Sequence, residues 1–150
     1  MKTHFSMKDS IESLMMREHA DIHYLLCAFD SELDASAKTP KEKFNGFKWA
    51  LEKHFFVEEK AIFQISDKIV GERVTDIFDL MKEHGEILEV VKNIEEAVEQ
   101  NMKPDIADLK ARLLKHARFE DVVFYPKLDE LLDENKKKEI IEKIKEIVRS

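Results

Sequence analysis

Glycine and proline are scarce in this chain, with three of each in 150 residues. Sheets need a tight turn every few residues and draw on both, so a many-stranded fold is excluded, as is a disordered Gly/Pro-rich chain. The single cysteine, Cys27, excludes an internal disulfide and fits a reducing cytoplasm. Basic residues fall short of acidic ones, 25 against 32, and the net charge of −7 denies a nucleic acid the basic face it requires. No apolar run reaches the roughly 18 residues of a membrane span. The polar start Met1-Lys2-Thr3-His4 is no signal peptide. A cytoplasmic protein with no membrane or nucleic-acid partner is expected.

What is abundant points to helices. Charged residues make up 38% and hydrophobic ones 43%, the composition of long amphipathic helices in one domain, residues 1–150, large enough to bury a core. Ile11, Leu14, Met15, Ile22, Leu25, Leu26 and Phe29 recur at helical spacing from an N-cap at Ser6 or Asp9 to about Leu33. Thr39-Pro40-Lys41-Glu42 predicts the start of a second helix, with Thr39 as cap and Glu42 closing a capping box. That helix carries Phe44, Phe47, Leu51, Phe55 and Ile62 to about Ser66. Asp67 to Gly71 reads as a connection. A third helix is expected from Glu72 to Gln100 and a fourth from Asp105, with Asn101 to Pro104 between them. Pro126 lacks the N–H that the preceding turn needs and is expected to bend or end the fourth helix. Asn135 to Val148 forms a shorter, outer fifth. The expected fold is all-α, an up-down-up-down four-helix bundle with a short C-terminal fifth helix.

Chemistry enters with His54-x-x-x-Glu58 inside an apolar run, and with its copy His116-x-x-x-Glu120. Positions i and i+4 lie about 6 Å apart along a helix, nearly on one face, so both side chains of each pair reach one point. Each copy ends in an apolar pair, Ile62-Phe63 and Phe124-Tyr125, and each follows a helix bearing Glu-His-x-x-Ile, at Glu18-His19 and at Glu83-His84. Two similar helix pairs would thus gather four imidazoles and two carboxylates about an approximate two-fold axis. An unpaired carboxylate in a dry core costs several kcal/mol, and a metal ion would satisfy it. His23 stands one turn beyond His19. Glu18, Glu59, Glu83 and Asp121 are either solvated or hold a ligating imidazole through its second nitrogen. Tyr24 and Tyr125 are candidate hydrogen-bonding partners near the site. No histidine has Glu three residues before it, which disfavours the ferritin-like di-iron pattern. A bis-His haem would gain nothing from the carboxylates. A closed zinc site wants four ligands, fewer than are offered. Imidazole with bridging carboxylate favours iron over manganese or zinc.

These residues resemble the hemerythrin-like family of His-His-Glu di-iron helix bundles, over about His19 to Tyr125. The resemblance implies two iron ions joined by an oxo or hydroxo bridge, with His19 and His54 on one, His84 and His116 on the other, and Glu58 and Glu120 spanning both. It implies binding of O2 or NO as carrier, store or sensor. The alternative is a di-iron redox enzyme or iron donor in peroxide or NO detoxification or iron–sulfur cluster repair. Respiratory hemerythrins carry a second histidine four residues after the third-helix histidine, where Leu88 stands here, and a His-x-x-x-x-Asp spacing on the last helix. The His116-x-x-x-Glu120 spacing resembles that of the cluster-repair proteins, whose cysteine-bearing N-terminal domain has no counterpart in these residues. The pseudo-two-fold maps position 88 onto His23, so His23 is expected as a third imidazole on the His19/His54 metal. Binding is favoured over catalysis because the sequence marks no separate substrate pocket, cofactor motif or further acid–base group.

Overall fold

The structure, a computed structural model, describes residues 9–35, 38–66 and 76–149. The expectations at His4, Ser6, the Asp67 to Gly71 connection and the start of the third helix lie outside them. The described residues are helical, without a strand: α1 (Ile11–Ala35), α2 (Lys41–Val57), α3 (Asp76–Glu99), α4 (Ala107–Phe119), α5 (Tyr125–Leu131) and α6 (Glu134–Arg149). α1 packs along α2, α2 along α3, and α3 along α4.

Local chemistry sets the helix ends. Ser10, rather than Asp9, caps α1. Its hydroxyl accepts the Ser13 N–H at 3.0 Å, and the Ser13 hydroxyl accepts the Ser10 N–H at 2.9 Å. This is a reciprocal capping box. Asp9 instead pairs with Arg17 and with Lys145 of α6, each at 2.9 Å. Ser10→Ala should therefore lower stability by about 1 kcal/mol, seen as a fall of about 2–4 °C in a thermal melt. An unchanged melt would show that Ser13 alone suffices. At α2 the expected Thr39 cap is replaced. Pro40 occupies the cap position without a side-chain bond, and the Thr39 hydroxyl donates to the Met102 carbonyl at 3.5 Å, tying α2 to the α3–α4 connection. α3 ends where Asn101 takes φ 55°, with Met102 N–H bonded to Ala97 O and Asn101 N–H to Val98 O. That is a Schellman ending, with Asn in the place glycine usually takes.

Both His-x-x-x-Glu motifs lie where the α-helical register is interrupted. A π-helical turn follows α2 at Glu58–Phe63, and another joins α4 to α5 at Glu120–Phe124. In each, a later N–H reaches back five residues, Gln64 to Glu59 and Tyr125 to Glu120. The second turn lies just before Pro126, the residue expected to bend or end the fourth helix. The shifted register places Pro126 in the first turn of α5, where its missing N–H costs little. Proline is not the cause of the interruption, because Glu58–Phe63 has none.

The core is divided into two apolar layers. One holds Met15, Val57, Ile62, Phe63, Leu80, Phe124 and Leu128, and is covered by Ile140 and Ile144 of α6. The other holds Ile22, Phe29, Phe44, Phe47, Leu51, Phe55, Val91 and Leu109. Between them, each of α1 to α4 contributes one buried or nearly buried histidine. These are the four histidines of the repeat.

Candidate metal centre

His54, Glu58, His84, His116 and Glu120 are buried, and His19 retains only slight exposure. Two groups form, His19-His54-Glu58-Glu120 and His84-His116-Glu58-Glu120, each with its nitrogen and oxygen atoms within 4.8 Å of one another. Both carboxylates belong to both groups. Each imidazole faces inward with Nε2 and outward with Nδ1. Inside, His19 Nε2 lies 3.0 Å from Glu120 and His84 Nε2 3.0 Å from Glu58, while His54 and His116 stand off at 3.4 and 3.5 Å from Glu58 and Glu120.

Outside, each Nδ1 meets a carboxylate from another helix or π turn: His19 with Asp121 at 3.0 Å, His54 with Glu18 at 2.8 Å, His84 with Glu59 at 2.8 Å and His116 with Glu83 at 2.7 Å. These four acids are thus the orienting groups rather than solvated bystanders. The repeat explains the pairing. Glu18 and Glu83 precede the first histidine of each half, Glu59 and Asp121 follow the buried Glu, and each reaches across to a neighbouring element.

One position breaks the two-fold. Tyr125, fully buried, donates its O–H to Glu58 Oε2, while the equivalent position in the first repeat is Phe63, which stacks near His84 at 5.6 Å. Phe55 lies face to face with His84 at 3.8 Å and closes the site on the second apolar layer. The aligned pairs Ile62-Phe63 and Phe124-Tyr125 carry the signal for this asymmetry, since only the second offers a hydroxyl. Tyr24, the other candidate tyrosine, is 72% exposed and contributes nothing here.

The asymmetry expected from His23 is not formed. His23 is exposed, and its Nε2 lies 3.5 Å from Cys27 Sγ. One helical turn beyond His19 carries it along the axis and about 40° around it, while Ile22 and Leu26 take the inward positions of the second layer. Leu88 also packs against that layer.

The electrostatics of the cluster follow from enclosing two carboxylates. Burial alone lowers the His19 and His116 pKa values, but Glu120, hydrogen-bonded to His19 and carrying its charge beside His116, outweighs it and holds both at about 9. For His84, burial is likewise outweighed by Glu58, and its pKa is raised. Burial raises that of Glu120, yet its contacts with Glu58, His116 and His19 bring it well below the usual value. Burial, reinforced by the two carboxylates, pushes the Tyr125 phenol well above its usual value. Even so, His54 Nε2, His116 Nε2 and Glu120 Oε2 are buried without a hydrogen-bond partner. Orphaned donors and acceptors of this kind cost about 1–3 kcal/mol each. Their convergence in a set of four imidazoles and two carboxylates suits a pair of cations.

No protein-family model matches this chain, and no curated protein or solved structure does.

One feature beside the cluster was not marked in the sequence. A cleft of about 660 Å³ runs between α1 and α4 over α2, reaching His19, His54 and His116 from one side. Ala20 and Ala117, on its two walls, are too small to fill it.

Proposed function

We propose that the cluster holds two iron ions in an up-down-up-down four-helix bundle with α6 as its short fifth helix. The protein would be a cytoplasmic, non-haem di-iron protein that takes up O2 or NO as carrier, store or sensor. One observation carries this: three unpartnered polar atoms meet two fully buried carboxylates between two apolar layers. His19 and His54 would hold one metal and His84 and His116 the other, with Glu58 and Glu120 common to both. His23 is left out of this set because it sits outside the cluster. Iron suits the mixture of imidazole and carboxylate. Manganese or zinc fits less well, and a closed zinc site would leave ligands over.

The chain's own contributions follow from the contacts. Glu18, Glu59, Glu83 and Asp121 accept the Nδ1–H of their imidazoles, which fixes the tautomer and leaves each Nε2 free to bind metal. The apolar layers limit water. The Tyr125 O–H draws electron density from Glu58, so the two shared carboxylates would not be equivalent toward a metal. When bound in its reduced state, an iron pair supplies the electrons and the open coordination position that a diatomic ligand needs.

Protein reconstituted anaerobically with ferrous iron should contain about two metals per chain. An optical charge-transfer band that comes and goes with O2 would support binding, and a stoichiometry near zero would sink the metal assignment. A second reading, a redox enzyme or iron donor, gains from the cleft that opens onto three imidazoles. Irreversible oxidation in air would favour it.

A further inference from the structure

A water molecule takes up about 30 Å³ of liquid, so a diatomic ligand would leave most of the 660 Å³ cleft unused. The volume falls instead in the range of about 300–1,000 Å³ that accepts organic ligands. Its walls are chiefly apolar, with Ile22, Leu26, Leu51 and Leu113 among them. The polar groups on the lining are nearly all engaged. Lys110 pairs with Asp30, Asp121 with His19, and His23 with Cys27. Arg118 is the exception, a lining cation that meets no carboxylate among the described residues. An anionic group entering the cleft thus has one open partner.

We propose that the cleft between α1 and α4 binds an apolar organic carboxylate, its hydrocarbon body on the Ile22, Leu26, Leu51 and Leu113 wall and its head group paired with Arg118. Binding itself does not require the metal. The metal assignment matters only to what becomes of a molecule held against His19, His54 and His116. An arginine–carboxylate pair combines charge with a bidentate fit, and Arg118 is exposed where the cleft meets solvent, within reach of an entering head group. An uncharged molecule of the same length would keep the hydrocarbon contacts and lose only the pair.

The test is calorimetric titration of decanoate, and of decanol as its uncharged match, into the full chain with its metal and again after chelation. Decanoate should bind saturably, one per chain, in both states. Arg118→Gln should weaken decanoate roughly tenfold or more and leave decanol unchanged, and Arg118→Lys should recover part of the loss. Ala117→Trp should abolish both by filling the cleft. Should that variant unfold, Ala20→Trp on the opposite wall serves the same purpose. The proposal is overturned by absence of saturable binding, by decanoate affinity indifferent to Arg118→Gln, or by binding that survives a filled cleft. Failure of decanoate on protein with its full metal content overturns only this proposal. Decanoate binding to a chain that takes up no metal supports it while removing the di-iron reading.

Discussion

Glu120→Ala should empty the metal centre, taking the content of reconstituted protein from about two metals per chain to below one. Glu120 belongs to both ligand groups, so its loss leaves each cation short of a donor and removes negative charge that both need. The same change should destabilise the metal-free protein. His19 and His116 are raised to about 9 mainly through Glu120, against the opposing effect of burial. Without that carboxylate they become buried imidazolium groups lacking an inner partner, or deprotonate. Removing one member of a buried ion pair costs about 3–5 kcal/mol. Glu58→Ala should match it in metal loss and add a second penalty, since the Tyr125 O–H would lose its acceptor in a fully buried setting. Metal analysis beside a thermal melt separates the two effects, with exposed Glu86→Ala as the control. Retention of both metals by either variant would remove the shared-carboxylate assignment.

Sequence spacing was enough to bring six of the seven nominated ligands together, because i and i+4 on an amphipathic helix constrain both face and height. It misplaced His23 for a related reason. The pseudo-two-fold aligned His23 with position 88, but on α1 the 40° that an i+4 step adds carries this side chain away from the cluster, and Ile22 and Leu26 fill the inner layer. The π turns at Glu58 and Glu120 are not legible, since nothing in residue identity distinguishes a shifted register from a regular one. Pro126, expected to bend or end the fourth helix, gave a hint of the second interruption, which lies just before it at Glu120–Phe124. Capping was half legible. The Ser10–Ser13 box departs from the usual Ser-x-x-Glu pattern, and Thr39, the candidate by pattern, spends its hydroxyl on the α3–α4 connection. The cleft left no trace because a gap between helices depends on how far apart two axes lie, and a helix-by-helix reading of apolar stripes does not contain that distance.

The metal-free protein should lose stability as pH rises from about 6.5 to above 9, and the metal-loaded protein should not. His19 and His116 rise from 6.5 to about 9 in the folded state, and His84 is raised too. A raised imidazole pKa means that the folded chain holds protons the unfolded chain has released. The resulting stability is complete below the unfolded value of 6.5 and is lost as pH climbs through the folded value of about 9. Each shift corresponds to on the order of 3 kcal/mol, and the two share Glu120, so they do not add in full. Glu120 works in the other direction. Its lowered pKa gives stability that is present above 4.5 and fades as pH falls toward the folded value. The contribution of these four groups without metal is therefore greatest between about 4.5 and 6.5. Metal binding requires the same imidazoles in neutral form, so loading at pH 7 should expel about two protons or more, detectable as a buffer-dependent heat in calorimetry. Affinity should rise with pH until the imidazoles are free of protons. Melting temperatures of the chelated and loaded protein from pH 5 to 10 make the comparison. A chelated protein whose melting temperature stays level from pH 6 to 9.5 would mean that Glu58 and Glu120 are not holding protonated imidazoles between them.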